Sequence, residues 1–432
     1  MKLSQIKASK VYDSRGKATI EVTINFNSTS VSASAPNGTS RGKKEVIDFS
    51  RKGVDYSIEL VNKVGAEILS KGLKFESFED LAKIEEIIRK YDSSSDYRIF
   101  GGNAVYALEA AMLKAIAKAN ELETWQLLES RAKAKPKMPL PLGNCIGGGK
   151  HIKESEKPEF QEFLLTPRTK KFFEAVFINR EAYKRAKEFL QKKGKLTGLT
   201  IENALFGPFS NEEALSILEE VRESIKESFG IKLELGVDIA ATSFYSKSKN
   251  AYYYSKPARP AQPAQPVQPV ELTKPAKSIR PAILSASAQL DYISELIKKH
   301  GLFYVEDPFH EDDFKSFSKL SALTKCLIVG DDLTCTNAEI IKKAIACKAI
   351  KGVIIKPNQA GSLIATKQAF DLARRAGLKT IISHRSGETE DDFIADLAVG
   401  WQADFIKAGI IGKEREAKLK RVVAIEKSLT GE

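Results

Sequence analysis

Five charged or imidazole residues follow short apolar runs at intervals of roughly 25 residues, the length of one strand plus one helix. The apolar runs are residues 302–305, 327–330, 353–355, 381–383 and 405–406, and the residues that follow them are Glu306, Asp331, Lys356, His384 and Lys407. Strands made of continuous Val, Ile and Leu are typical of parallel sheets buried on both faces. In a parallel barrel the carboxyl ends of the strands meet at one mouth, where active sites lie. The pattern therefore predicts one pocket that suits a divalent metal and an anionic substrate.

The alternative is that these five positions are surface loops that happen to follow strands. Surface loops do not need the same offset from every strand, so the shared register disfavours this interpretation. We therefore look for the elements that would hold such a pocket.

Length and composition limit the class of protein. A chain of 432 residues with 42% hydrophobic content is long enough for two domains, or for a barrel with an added domain. No run of 18 apolar residues predicts a membrane span, and the first residues lack the apolar segment of a signal peptide. The four cysteines have no Cys-x-x-Cys spacing. We expect a cytoplasmic protein with reduced cysteines.

The net charge of +12 and the pI of about 9.2 favour an anionic metabolite or a nucleic acid as partner. Lys and Arg alternate with Glu along the predicted helices, as in residues 413–418, and no basic block with interleaved aromatic residues occurs. We therefore expect a lysine-rich solvated surface and no specific binding of nucleic acid.

The N-terminal third differs in pattern from the rest. Residues 5–35 alternate as antiparallel strands do, and residues 44–131 are mostly helical, with one alanine-rich helix predicted over 103–120. A Lys- and Pro-containing linker at 132–137 marks the boundary. We predict an α+β N-terminal domain over residues 1–135 and a β/α barrel over residues 136–432.

A proline-rich insertion at residues 252–282 interrupts the barrel. Prolines at positions 257, 260, 263, 266 and 269 recur every third residue, which is the period of polyproline II. The insertion is then a stiff surface segment or, alternatively, a docking ligand for a proline-binding module.

Several motifs together resemble the enolase family over nearly the whole chain, apart from the insertion. The motif at 383–391, Ser-His-Arg-Ser-Gly-Glu-Thr-Glu-Asp, is the most specific. The other motifs are residues 12–16 with 19–22, 35–42, 144–151 with 161–163, 306–309, 330–334, 356–359 and 406–409. The resemblance implies an eight-stranded TIM-like barrel after an α+β domain. It also implies reversible dehydration of 2-phosphoglycerate to phosphoenolpyruvate, two Mg²⁺ ions in each active site, and a homodimer or larger homo-oligomer.

The resemblance also implies roles for individual residues. The catalytic residues would be Lys356 as the base, Glu202 as the acid, and Glu162 and His384 beside them. The residues that bind substrate would be Ser40, His151, Gln161, Arg385, Ser386 and Lys407. The metal ligands would be Asp238, Glu306 and Asp331, with Ser40 joining the second ion. Two cations would lower the pKa of Lys356 enough for it to act as a neutral base, and neighbouring carboxylates would raise the pKa of Glu202.

Three assignments have alternatives. His384 would otherwise be a packed histidine at a strand end. Glu159 competes with Glu162 because the two segments are near-duplicates, and Gln161 favours Glu162. Glu202 lacks the flanking glycines of the family motif, so it would otherwise be an ordinary surface acid.

Two other functions remain open from the sequence. One is another lyase or a racemase of the enolase superfamily, which Ser40 and the Arg385–Ser386 pair disfavour. The other is an enolase-like scaffold without activity whose proline segment docks a partner.

Overall fold

The computed structural model describes residues 1–39, 42–129, 136–152, 157–254 and 283–431. The chain opens with an antiparallel three-stranded sheet, as the alternation at 5–35 predicts. Its strands are β1 (Leu3–Tyr12), β2 (Ala18–Phe26) and β3 (Thr29–Ser34). Ile20, Val22 and Ile24 of β2 are fully buried, because alternate residues of a strand point to the same face.

Helices follow the sheet, as predicted for residues 44–131. They are α1 (Val54–Ser70), α2 (Leu81–Tyr91), α3 (Gly102–Ala119) and α4 (Thr124–Leu128), with a 3₁₀ turn at Phe78–Asp80. The helix predicted over 103–120 is α3, which is buried along almost its whole length. It packs against β2 and β3, and its small alanine side chains allow that close approach.

The second part of the chain is a closed barrel of eight strands. The strands from this point on are β4 (Leu140–Gly147), β5 (Glu162–Pro167), β6 (Gly198–Leu199), β7 (Leu205–Phe206), β8 (Leu233–Asp238), β9 (Tyr245–Ser246), β10 (Ala251–Tyr253), β11 (Ile283–Leu284), β12 (Tyr304–Glu306), β13 (Leu327–Gly330), β14 (Gly352–Ile355), β15 (Lys379–Ser383) and β16 (Phe405–Lys407). Around the barrel the order is β4, β5, β8, β12, β13, β14, β15 and β16, and β16 pairs with β4 to close it.

The five predicted strand ends coincide with β12 to β16. These strands are buried on both faces: Ile354 belongs to the small apolar cluster inside the barrel, whereas Val353 and Ile355 belong to the main core under the helices. One strand departs from the parallel arrangement: β5 runs antiparallel to both β4 and β8. The first residue of β5, not its last, therefore lies at the mouth.

Helices cover the outside of the barrel. They are α5 (Phe172–Lys192), α6 (Asn211–Phe229), α7 (Ala286–His300), α8 (Phe314–Leu323), α9 (Ala338–Ala346), α10 (Pro357–Ala360), α11 (Leu363–Arg375), α12 (Phe393–Gly400) and α13 (Lys413–Thr430). Two 3₁₀ turns, Gly149–His151 and Ala241–Phe244, lie beside the mouth of the barrel. Most of the helices have one apolar face against the strands, as amphipathic periodicity requires.

The predicted linker and insertion fall largely outside the described residues. Residues 132–135 of the linker and residues 255–282 of the insertion belong to that part of the chain. The strands β10 and β11 stand at the two ends of the insertion and pair with each other through Tyr252 and Leu284.

Candidate active site

One polar pocket lies at the mouth of the barrel, where the sequence predicts it. It contains nearly all the predicted residues together with others from the N-terminal part of the chain. Its lining is Gly38, Thr39, Glu45, His151, Gln161, Glu162, Glu202, Asp238, Ala240, Asp307, Asp331, Asp332, Lys356, Gln359, Ser383, His384, Arg385, Ser386 and Lys407. Glu306 lies just beneath, with no exposed surface. Ser40 lies outside the described residues, so its role stays a prediction.

The reversed direction of β5 brings an additional acid to the mouth. Glu162 begins β5 and stands opposite Asp238, the last residue of β8, in the antiparallel register. Gln161 precedes Glu162, and its backbone N–H donates to the Asp238 carbonyl at 3.0 Å. Its side-chain amide nitrogen lies 3.4 Å from the Asp238 carboxylate.

Lys407 is the centre of the charge network. Its ammonium group lies 2.8 Å from Glu162, 2.8 Å from Glu306 and 3.1 Å from Asp238. Burial disfavours the charged form of Lys407, but these three carboxylates more than offset burial and raise its pKa well above the usual value. Burial and Asp238 together raise the pKa of Glu306 to about 8, and Tyr304 also donates to it at 2.5 Å.

Lys356 lies at the end of β14, where its ammonium group contacts the Asp331 carboxylate. Burial disfavours its charge, yet Asp331 more than compensates, so the pKa of Lys356 is raised. Gln359 donates to the other Asp331 oxygen at 3.1 Å. The lowered pKa that the sequence predicts for Lys356 depends on bound cations and stays a prediction.

The predicted metal ligands fit a hard divalent cation in their chemistry. Asp238 and Glu306 end the neighbouring strands β8 and β12, and Asp331 directly follows β13, the next strand in the ring. Carboxylate oxygens are the ligands that Mg²⁺ prefers. The Glu306 Oε1 atom is buried and has no hydrogen-bond partner among the described residues, as expected of an oxygen that a cation would take.

Two other groups of described residues bring their possible ligand atoms within 4.8 Å of one another. They are His151 with Glu162 and Glu202, and Asp307 with Asp331 and Asp332. The predicted trio is not among them, and its carboxylates contact Lys407 and Lys356 instead. Asp331 alone belongs to both the predicted trio and one of these groups.

Arg385 and Ser386 follow β15, as predicted, and both have protein partners. The buried Arg385 guanidinium donates to Glu45 at 3.0 Å and to Asn358 at 3.1 Å. The Ser386 hydroxyl accepts from the Thr39 backbone N–H at 2.8 Å. Three of these groups, Glu45, Asn358 and Thr39, were not among the predicted site residues.

Glu202 is not an ordinary surface acid, since only 4% of it is exposed. Two features of the turn that carries Glu202 compensate for the missing glycines. Asn203 takes a left-handed conformation with φ of 63°, which Asn tolerates better than most residues. The Thr200 hydroxyl accepts from the backbone N–H groups of Glu202 and Ala204 at 3.1 and 3.2 Å.

Two histidines flank Glu202. His151 Nε2 lies 3.6 Å from one of its carboxylate oxygens, and His384 Nε2 lies 3.8 Å from the other. Burial lowers the pKa of both rings, well below the usual value for His384, where the Arg415 charge adds to the effect. His384 therefore lines the pocket, and its role there stays a prediction.

The expected raised pKa of Glu202 is wrong. Burial raises its pKa, but the interactions with His151, His384 and Arg415 outweigh burial and hold it well below the usual value. The raised pKa belongs to Glu162, through burial and its proximity to Glu202 and Asp238. Carboxylate oxygens of the two groups lie within 4.8 Å of each other, close enough for the charge of one group to affect the pKa of the other.

Sequence reasoning missed residues whose importance depends on contacts between distant segments. Glu45 contacts Arg385 across 340 positions of sequence, and Arg415 reaches His384 from the last helix. Thr39 and Gln359 lie inside motifs quoted above but carry no chemical signature of their own. No local pattern indicates Glu45 or Arg415.

The fold and the pocket define a β/α-barrel enzyme whose site combines buried carboxylates, two lysines and an arginine for an anionic small molecule. Among the described residues, no helix has the length and apolar character needed to cross a membrane. Two family models match the chain: "Enolase, N-terminal domain" over residues 3–128 and "Enolase, C-terminal TIM barrel domain" over residues 135–432.

Curated proteins named enolase are similar over nearly the full chain. The protein of Thermoplasma acidophilum is 34% identical, and the alignment covers 99% of each chain. The protein of Picrophilus torridus is 35% identical over 97% of each chain, and that of Pyrobaculum aerophilum is 36% identical over 98% of this chain and 96% of its own. The chain belongs to the enolase family. Its activity is that of a hydro-lyase, phosphopyruvate hydratase.

Proposed function

We propose that this protein dehydrates 2-phosphoglycerate with Lys356 as the base and the Glu162–Glu202 pair as the acid. The observation that carries the proposal is their placement around the barrel. Lys356 follows β14 and Glu162 begins β5, and these strands are four places apart in a closed ring of eight. The two groups thus stand on opposite walls of one pocket, where they face opposite sides of a bound substrate.

The two steps of the reaction require a base on one wall of the pocket and an acid on the other. Removing the proton from C2 places a second negative charge beside a carboxylate, and losing hydroxide from C3 requires a proton donor. Lys356 accepts the C2 proton, and the acid pair, which holds one proton through the raised pKa of Glu162, supplies the other. His384 and His151 border the acid pair and orient it.

The remaining predicted residues bind the charged groups of the substrate. Arg385 forms bidentate hydrogen bonds to the phosphate in exchange for its present partners Glu45 and Asn358, since a planar guanidinium fits phosphate geometry. Ser386 donates its hydroxyl to the same phosphate. The Lys407 ammonium group leaves Glu162, Asp238 and Glu306, its present partners, and contacts the carboxylate of the substrate.

We further propose that Asp238, Glu306 and Asp331 hold one Mg²⁺ and that Ser40 joins a second. When bound, the cations neutralise the charge that develops on the substrate carboxylate. With Asp331 bound to such a cation, its carboxylate would no longer raise the pKa of Lys356, and the lysine would be a better base.

Domain division, location and assembly complete the proposal. We place the domain boundary between residues 135 and 136, and the two family models, which end at 128 and begin at 135, support it. Four free cysteines, three of them buried, support a reducing cytoplasm. The homodimer rests on the resemblance alone.

The test is a direct assay of phosphoenolpyruvate formation by absorbance, with purified protein, 2-phosphoglycerate and Mg²⁺. Turnover that Lys356→Ala abolishes supports the proposal. Absence of turnover in the wild-type protein would favour the scaffold without activity, and activity on another carboxylate alone would favour another superfamily reaction.

A further inference from the structure

A single buried arginine holds three consecutive residues of the proposed substrate-binding segment. Arg415, in the first turn of α13, has no exposed surface. Its Nη1 lies 2.6 Å from His384 Nδ1 and donates to the Arg385 carbonyl at 2.7 Å. Its Nη2 donates to the Ser386 carbonyl at 2.7 Å.

The contact with His384 fixes the state of the imidazole. A guanidinium has donors only and stays charged in proteins. The Nδ1 atom must therefore accept the hydrogen bond, so it carries no proton. The ring is neutral, and its one proton lies on Nε2.

The protonated nitrogen faces the acid pair. His384 Nε2 lies 3.8 Å from the Glu202 carboxylate, and the ring lines the pocket. With the other tautomer, the Nε2 lone pair would point at Glu202, and the contact would be repulsive.

The protein keeps this arginine at a cost. A buried charge is unfavourable unless it is well paired, and the nearest carboxylate oxygen, on Glu414, lies 3.7 Å from the Arg415 Nε atom. Gly409, with φ of 77°, leaves space for the stem: a Cβ there would lie 3.1 Å from Arg415 Cγ. The hydrogen bonds from the guanidinium to three acceptors in the substrate-binding segment offset this cost.

We propose that Arg415 is a positioning residue that locks His384 in the neutral Nε2–H tautomer and holds the backbone of Arg385 and Ser386 in place. The benefit to catalysis rests on the proposed role of the Glu162–Glu202 pair. The tautomer itself does not, because it follows from the contact between Arg415 and His384.

The test is ¹⁵N NMR of the full-length protein labelled at histidine. The chain has four histidines, so the spectrum is simple, and His384→Gln assigns the signal. We expect His384 in the wild-type protein to show a protonated Nε2 and an unprotonated Nδ1 between about pH 6 and 9, a range that spans the usual histidine pKa. A protonated Nδ1, or titration at an ordinary pKa, overturns the proposal without any variant.

Arg415→Met should remove the preference of His384 for the Nε2–H tautomer and give a mixture of both tautomers. Lys418→Met is the matched control, because Lys418 is also buried on α13 and donates to the Thr389 and Asp391 carbonyls, one turn further along. The Lys418→Met variant should keep the wild-type tautomer of His384. If both variants change His384 equally, Arg415 acts only by docking the helix.

A double-mutant cycle tests whether the catalytic effect passes through His384. Arg415→Met should lower kcat by roughly 10²-fold, the scale of a misplaced proton-transfer group. The double variant Arg415→Met/His384→Gln should then lose less kcat than the product of the two single losses, because both single variants remove the same contribution of His384. If the losses in kcat of the two single variants multiply in the double variant, the effect of Arg415 on catalysis does not pass through His384. An inactive wild-type protein with the expected tautomer would overturn the proposed function and leave the positioning role standing.

Discussion

At the mouth of the barrel, carboxylate oxygens of Glu162 and Glu202 lie within 4.8 Å of each other, and their surroundings move the pKa values of the two groups in opposite directions. Burial and neighbouring acids raise the pKa of Glu162, whereas two histidines and Arg415 offset burial and lower that of Glu202. Pairs of titratable groups separated in this way are typical of acid–base sites.

The acid pair leads to the first prediction. Glu202→Gln and Glu162→Gln should each slow dehydration by roughly 10²- to 10⁴-fold, the range for loss of a proton donor. Exchange of the C2 proton of 2-phosphoglycerate in deuterated water should continue, because Lys356 is unchanged. Exchange is measured by NMR and phosphoenolpyruvate by absorbance.

Glu159→Gln is the control for the acid pair. Glu159 is the near-duplicate of Glu162 in sequence but does not line the pocket, so this variant should dehydrate at a rate close to wild type. If Glu159→Gln loses activity while Glu162→Gln keeps it, the acid has been assigned to the wrong segment.

The second prediction concerns the base. Lys356→Ala should lose both dehydration and C2 exchange by roughly 10²-fold or more, while Mg²⁺ binding, measured by calorimetry, should persist. The control is Lys351→Ala at the other end of β14, where the ammonium group bonds to backbone carbonyls outside the pocket. Wild-type exchange in Lys356→Ala would show that another group is the base.

The third prediction separates two possible metal sites. Removal of divalent ions with a chelator should abolish activity, and added Mg²⁺ should restore it. Asp238→Asn should weaken Mg²⁺ binding strongly in calorimetry, whereas Asp332→Asn should retain it. The reverse order would place the ion at Asp307, Asp331 and Asp332, the group whose ligand atoms already lie close together.

Asp331 belongs to both possible metal sites. Asp331→Ala should therefore lose activity even in excess Mg²⁺. Full activity of Asp331→Ala, or of the wild-type protein in chelator, would contradict a metal-dependent mechanism at this site.

The fourth prediction concerns the loop that carries Thr39. Asp13 accepts from the backbone N–H groups of Arg15 and Lys17 and from the Asn37 side chain, and Arg15 contacts Thr39. Burial raises the pKa of Asp13, but these hydrogen bonds outweigh burial and lower it below 3.8. Asp13→Asn should cost about 2 kcal/mol at pH 7, the scale of hydrogen bonds to a charged group.

The sign of the pH dependence follows from the lowered pKa. The stabilising contribution of Asp13 is complete above its unfolded pKa of about 3.9 and is lost as the pH falls through the lower folded pKa. In urea denaturation, the difference in free energy of unfolding between the wild-type protein and Asp13→Asn should therefore decrease only below about pH 4. Asp55→Asn, which breaks an exposed pair with Lys10, is the control and should cost less than about 1 kcal/mol. Equal costs for both variants would contradict the role given to Asp13.

Local patterns in the sequence were sufficient to predict the fold class. Each of β12 to β16 is a short apolar run followed by one polar residue, and burial on both faces forces that composition. The helix near residues 103–120 and the N-terminal antiparallel strands carry equally direct periodicities. Gln161 also favoured Glu162 over Glu159.

The direction of β5, the pKa order of the two acids and the partners of Arg385 and His384 were decided only by the tertiary structure. Strand direction depends on how a strand pairs, which its own residues do not encode. The pKa order depends on which charges gather around each carboxyl group, and Glu45 and Arg415 reach the site from segments far away in sequence. The sequence indicated which polar groups meet at the mouth of the barrel, because strand periodicity brings them there. The closed barrel and its flanking helices determined which charges surround each of these groups, because electrostatic interactions depend on distance in space and not along the chain.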